Sequence, residues 1–136
     1  MDMRLNVIPL VGVGSVRFGM SRGQIRAVWG NAEEFQKTPE ATAATDDFGF
    51  CHVYYDGNNC CEAIEVFDDA EVLIEGRKVF PLETEELLKL FPEFEEDDDG
   101  PISFRWAAAV YAPDGAAESI LFGKEGYFGL FPNKCG

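Results

Sequence analysis

The stretch CHVYYDGNNCCE, Cys51 to Glu62, holds the only histidine and three of the four cysteines of the chain. Such side chains are metal ligands, redox partners and nucleophiles, so any chemistry would be sought here first. A structural zinc site needs four ligands converging from paired short spacings. Here Cys60 and Cys61 are adjacent, and Cys135 would have to arrive from the far end of the chain, so the spacing does not fit a metal. A nucleophilic thiol needs a base beside it, and His52 is the only imidazole. Strand alternation decides what can meet. A turn of two or four residues puts His52 on one face with Phe50, Tyr54, Cys61 and Ala63, leaving Cys51, Cys60 and Ile64 on the other. An odd turn brings Cys60 toward His52 instead of Cys61. Neither register names a third group to orient the imidazole. The expectation is therefore cysteines as small packing residues, with no metal, no cofactor and no enzymatic activity.

Two other motifs fade on inspection. Gly12-Val13-Gly14 lacks the third glycine of a dinucleotide fingerprint. Asp97-Asp98-Asp99-Gly100 lacks the alternating ligands and distant bidentate glutamate of a calcium loop. What remains distinctive is the run Glu93, Phe94, Glu95, Glu96, Asp97, Asp98, Asp99, with six acids in seven residues. Its chemistry is electrostatic: an anionic patch able to dock into a cationic groove, such as a nuclease active site that normally holds phosphate. Glu93, Glu95, Glu96, Asp97, Asp98 and Asp99 are the candidate partner-binding residues.

The whole chain supports that direction. Its 136 residues carry 25 acidic and 11 basic side chains, a net charge of −14. A surface so negative repels nucleic acid and anionic lipid and attracts a basic protein. Residues 1–30 hold four arginines and one acid, which leaves −17 for the remainder. Twelve phenylalanines and 46% apolar residues are enough for a packed core. No apolar run is long enough to span a membrane and no signal peptide is evident, so a cytoplasmic protein with reduced thiols is expected.

The elements that must position these residues follow from pattern. Val7 to Phe18, interrupted by Pro9, Gly12 and Gly14, reads as a loop entering a short strand at 15–18. Ser21 with Gln24 has the form of a capping box, and Ile25, Val28 and Trp29 recur at helical spacing before Gly30. Residues 31–47 show no period and read as a loop with a turn of helix near Glu33. Phe48 to Tyr55 and Cys60 to Phe67 flank Asp56-Gly57-Asn58-Asn59, a hairpin signal. Strands at 71–74 and 77–80 precede a second helix from Thr84 to Phe91, stopped by Pro92. After the acidic loop, Ile102 to Tyr111 and Glu118 to Gly123 form another hairpin around Pro113-Asp114-Gly115.

The order can be read twice. Phe18 through Trp29 aligns with Phe80 through Phe91, pairing Gln24 with Glu86, Ile25 with Leu87 and Val28 with Leu90. Val53-Tyr54 and Glu62-Ala63-Ile64 align with Val110-Tyr111 and Glu118-Ser119-Ile120. The fold expected is α+β: one domain over 1–136, with one antiparallel sheet, two short helices on one face and two β-α-β-β pseudo-repeats at about 15–75 and 76–131.

The segment FGMSRGQIRAVWG, Phe18 to Gly30, resembles the helix motif of the BamE/SmpA-type outer-membrane assembly lipoproteins and of the two-repeat β-lactamase inhibitor proteins. That resemblance implies a helix-plus-sheet unit; the export and lipidation signals of those families are missing here, so their location does not carry over. The pattern FGFCHVYYDGNNCCEAIEVF followed by VFPLETEELLKLF resembles small acidic bacterial immunity proteins encoded beside polymorphic or contact-dependent toxins. This second resemblance implies a non-enzymatic inhibitor that neutralises a basic toxin by covering its active site. The alternative from a different class is a small-ligand or scaffold module with an aromatic-lined sheet face.

Overall fold

The computed structural model describes residues 3–36, 38–40, 43–67 and 70–128. Its elements are β1 (Met3–Ile8), β2 (Gly12–Val13), β3 (Val16–Arg17), α1 (Arg22–Trp29), β4 (Glu33–Phe35), β5 (Thr45–Asp47), β6 (Cys51–Tyr55), β7 (Cys61–Phe67), β8 (Ala70–Ile74), β9 (Arg77–Phe80), α2 (Thr84–Leu90), β10 (Ile102–Ser103), β11 (Ala108–Tyr111) and β12 (Ser119–Gly123). With 45% strand and 12% helix, the α+β class holds.

The strands divide between two sheets where one was expected. One has the order β3-β2-β1-β8-β9, the other β10-β11-β12-β7-β6-β5-β4. The first is built on a parallel pair, Met3–Val7 against Ala70–Ile74. No local pattern announces such a pairing, because the partners are far apart in sequence, and the loop expected from Val7 onward takes in only the last two residues of β1. Residues 31–47 likewise contain β4 and β5 rather than a helical turn. Both are short and polar, and they take extended form by adding to the edge of β6.

Locally encoded features are found where the residues placed them. Ser21 caps α1: its hydroxyl accepts the Gln24 N–H at 3.2 Å while its own N–H donates to the Gln24 side chain at 2.9 Å. Gly30 ends the helix at φ 93°, a conformation glycine adopts without a Cβ penalty. α1 buries Ile25 and α2 buries Leu87, and both join one apolar cluster with Leu5, Val7 and Val72 of the first sheet and Val53, Ile64 and Phe122 of the second.

Positions aligned in the sequence make corresponding contacts. Ser21 bridges Cys60 and Glu83 bridges Ala116. The Arg22 N–H donates to the Asn59 carbonyl, as the Thr84 N–H does to that of Gly115. β7 and β12 run antiparallel with Glu65 opposite Leu121, which occupy the same place in the two hairpins, so the seven-stranded sheet has a local two-fold there. The five-stranded sheet does not share it, since an axis normal to a sheet relates antiparallel neighbours and β1 and β8 are parallel.

Candidate functional site

Register sorts the seven-stranded sheet into an inner and an outer face. One row of directly paired residues, Asp46, Val53, Ile64, Phe122, Ala108 and Ser103, is fully buried, each at 0% exposure. The next row, Glu33, Asp47, His52, Glu65, Leu121, Ala109 and Ile102, points the other way, and each of its members is half-buried or exposed. Asp46 and Asp47 thus have opposite fates despite being neighbours.

Asp46 is held from the helix side. Arg26 donates to both of its oxygens, through Nη2 at 2.6 Å and Nε at 3.0 Å. Arg22 donates from Nη1 at 2.7 Å, and the Tyr55 hydroxyl at 2.9 Å. Arg22 also lies 4.1 Å from the centre of the Tyr55 ring and reaches Ala44 and Asn59. Burial alone would raise the Asp46 pKa; the hydrogen bonds from Arg26 and Tyr55 and the charges of both arginines outweigh it and hold the carboxyl below its usual range. This cluster fastens α1 to β5, β6 and the hairpin turn. It also uses two of the arginines that made residues 1–30 basic in the sequence.

The hairpin resolves the question of the soft residues. Tyr55 pairs with Cys61, so the turn comprises Asp56 to Cys60, and a register shift makes Tyr54 face Ala63, leaving Glu62 as the bulged residue. Asp56 orders the turn by accepting the N–H groups of Asn58 and Cys60. Cys61 consequently enters the core with Cys51 and Tyr55, and burial above all pushes its thiol up to about 12. His52 lies on the outer face. The Cys61–His52 pair is therefore not formed, and among the described residues no group of three or more His, Cys, Asp or Glu side chains could hold a metal. Cys135 lies outside the described residues.

Around His52 the outer face is aromatic. Its ring stands edge-on to Phe67 at 4.6 Å, Phe35 at 5.0 Å and Tyr54 at 6.4 Å, with the Asp47 carboxylate 3.6 Å from Nε2. Beside it, Glu65 accepts the Tyr54 hydroxyl at 2.6 Å on one oxygen and the Ser119 hydroxyl at 2.7 Å on the other. Tyr127 lies across Gly123, where a Cβ would come within 2.5 Å of its ring. Burial, then the nearby carboxylates of Glu62 and Glu65, pushes the Tyr127 phenol upward. At the β4 end, a hollow of about 320 Å³ shares Glu33 and Asp47 with this row. Sequence reading had not singled out Glu33, Asp47 or Glu65; the outward alternation of Glu65 and Phe67 along CEAIEVF was the available signal.

The acidic run is ordered by its neighbours. Phe94 is buried and packs edge-on to Trp106 at 5.9 Å, anchoring the segment. Glu95 and Ile102 exchange backbone hydrogen bonds of 2.8 Å, and the Ala112 N–H reaches the Asp99 carbonyl at 2.8 Å. The loop therefore lies along β10, at one edge of the sheet. Gly100 permits this approach: at φ 138° it sits where a Cβ would collide with the Val110 carbonyl. Glu95, Glu96, Asp97, Asp98 and Asp99 are exposed together, whereas Glu93 is half-buried with Oε1 turned away from solvent.

No protein-family model, curated protein or solved structure matches the chain. Among the described residues no helix is long and apolar enough to cross a membrane.

Proposed function

We propose that this chain is a non-enzymatic binding protein that captures a basic protein, most concretely an immunity protein that neutralises a cationic toxin by covering its active site. The observation that carries the reading is the row of five exposed carboxylates, Glu95 to Asp99, tied by backbone hydrogen bonds to the edge of a sheet. A fixed anionic strip needs little reordering on binding, so less of the interaction is lost to conformational entropy. The overall charge of −14 extends its reach, raising the rate of encounter with a cationic groove, while desolvated apolar contacts slow dissociation. A nuclease that grips phosphate offers such a groove.

The experiment is co-expression with the product of the flanking gene. The reading predicts that the flanking product alone arrests growth, that this chain restores it, and that the two purify as a stoichiometric complex. Unrelieved toxicity together with separate elution would overturn it. The small-ligand alternative is favoured by the aromatic sheet face, and a thermal shift of several degrees with one member of a metabolite panel would turn the assignment toward it.

A further inference from the structure

The geometry points to the outer face of the seven-stranded sheet as the docking site for an arginine-bearing segment of the basic partner, with Glu33, Asp47, His52, Glu65 and Phe67 as its contact surface. The assignment rests on the reading above and adds to it where the partner sits and which side chain it presents. The strands contribute three carboxylates to this row, and among the described residues none of the three pairs with a lysine or arginine. By contrast, Asp46 on the inner face is saturated by Arg22 and Arg26. Among the described residues, the carboxylates of this sheet row that lack a lysine or arginine partner therefore lie on the outer face, where the basic group beside Asp47 is the His52 imidazole at 3.6 Å.

The surroundings select guanidinium over ammonium. A planar guanidinium stacks on aromatic rings while donating to a carboxylate in fixed directions, whereas ammonium acts as a hydrated point charge. Phe35, His52 and Phe67 form such a wall, with Phe35 37% exposed. Glu65 is already oriented by Tyr54 and Ser119, each occupying one oxygen and leaving further acceptor capacity on both. Leu121, Ala109 and Ile102 continue the row as a half-buried apolar floor. An arginine on a strand or loop would thus bury its stem on the floor and place its head between Glu65 and Asp47.

Titration of the ¹⁵N-labelled full chain with an octa-arginine peptide at near-physiological salt tests this. The expected result is amide shifts at Glu33, Asp47, His52, Glu65, Phe67 and Leu121, an octa-lysine peptide binding more weakly, and Glu65→Gln raising Kd about tenfold. The wild-type footprint needs no variant to fold; Leu121→Arg, directly opposite Glu65 on the neighbouring strand, should also abolish it. Shifts confined to Glu95–Asp99 would overturn the placement and leave the partner class standing. A complex with the flanking-gene product that is indifferent to Leu121→Arg would do the same. Binding that emerges only after removal of residues 129–136, or a homodimer dissolved by Leu121→Arg, would overturn the proposal by giving the face to the chain itself. Failure of the growth rescue, in contrast, would remove the underlying reading.

Discussion

Asp46 and Asp47 are adjacent on β5 but lie on opposite faces of the sheet, and their environments differ accordingly. Asp46 is wholly buried among Arg22, Arg26 and Tyr55, so removing its carboxylate leaves the Tyr55 hydroxyl without that acceptor, Arg22 with only neutral acceptors and Arg26 with Glu34 alone. Asp46→Ala should cost about 3–5 kcal/mol in chemical denaturation, far more than the exposed Arg4–Glu71 pair. The pH dependence has a definite sign. Because the folded carboxyl titrates below its usual range, its contribution is fully present above a pH of about 4 and is lost as pH falls through the folded value. Asp46→Asn should therefore flatten the stability profile on the acid side, as read by urea midpoints at stepped pH. Gly123→Ala pushes a methyl into Tyr127; about 1–3 kcal/mol of destabilisation with altered Tyr127 ring resonances is expected.

Elements whose signals are local were legible. The Ser21–Gln24 box, Gly30, Pro92 and the Asp56–Asn59 turn each act on the chain within a few residues, and helices and hairpins formed where they stood. Ser21→Ala should lower stability by about 1 kcal/mol through the lost cap, measurable as a drop in Tm. What escaped were partners distant in sequence: β1 beside β8, and β4 and β5, whose polar composition hides their role at a sheet edge. The bulge at Glu62 also escaped, and with it the side of the sheet on which Cys61 lies. The acidic candidates were visible in composition, but Glu93 turns inward because Phe94 beside it must be buried and the chain is pinned at Glu95. Gly100→Ala should unseat the strip by clashing with Val110; faster amide exchange at Glu95 and Ala112 would report it.

At the scale of the molecule, charge and topology act together. The cations of the first thirty residues include Arg22 and Arg26, which are spent on Asp46, so neither offsets the carboxylates of the outer face. The outer face could not be anticipated from one strand, since the row from Glu33 to Ile102 depends on the registers of every neighbouring strand pair across the sheet. The capture of a basic partner is tested most directly by calorimetric titration of the purified flanking-gene product into this chain at low and high salt. We predict a one-to-one complex whose Kd rises about tenfold or more from roughly 50 to 300 mM salt, with a smaller rise when Asp97, Asp98 and Asp99 are changed to asparagine. No heat of binding, or an affinity unmoved by salt and by those substitutions, would contradict it.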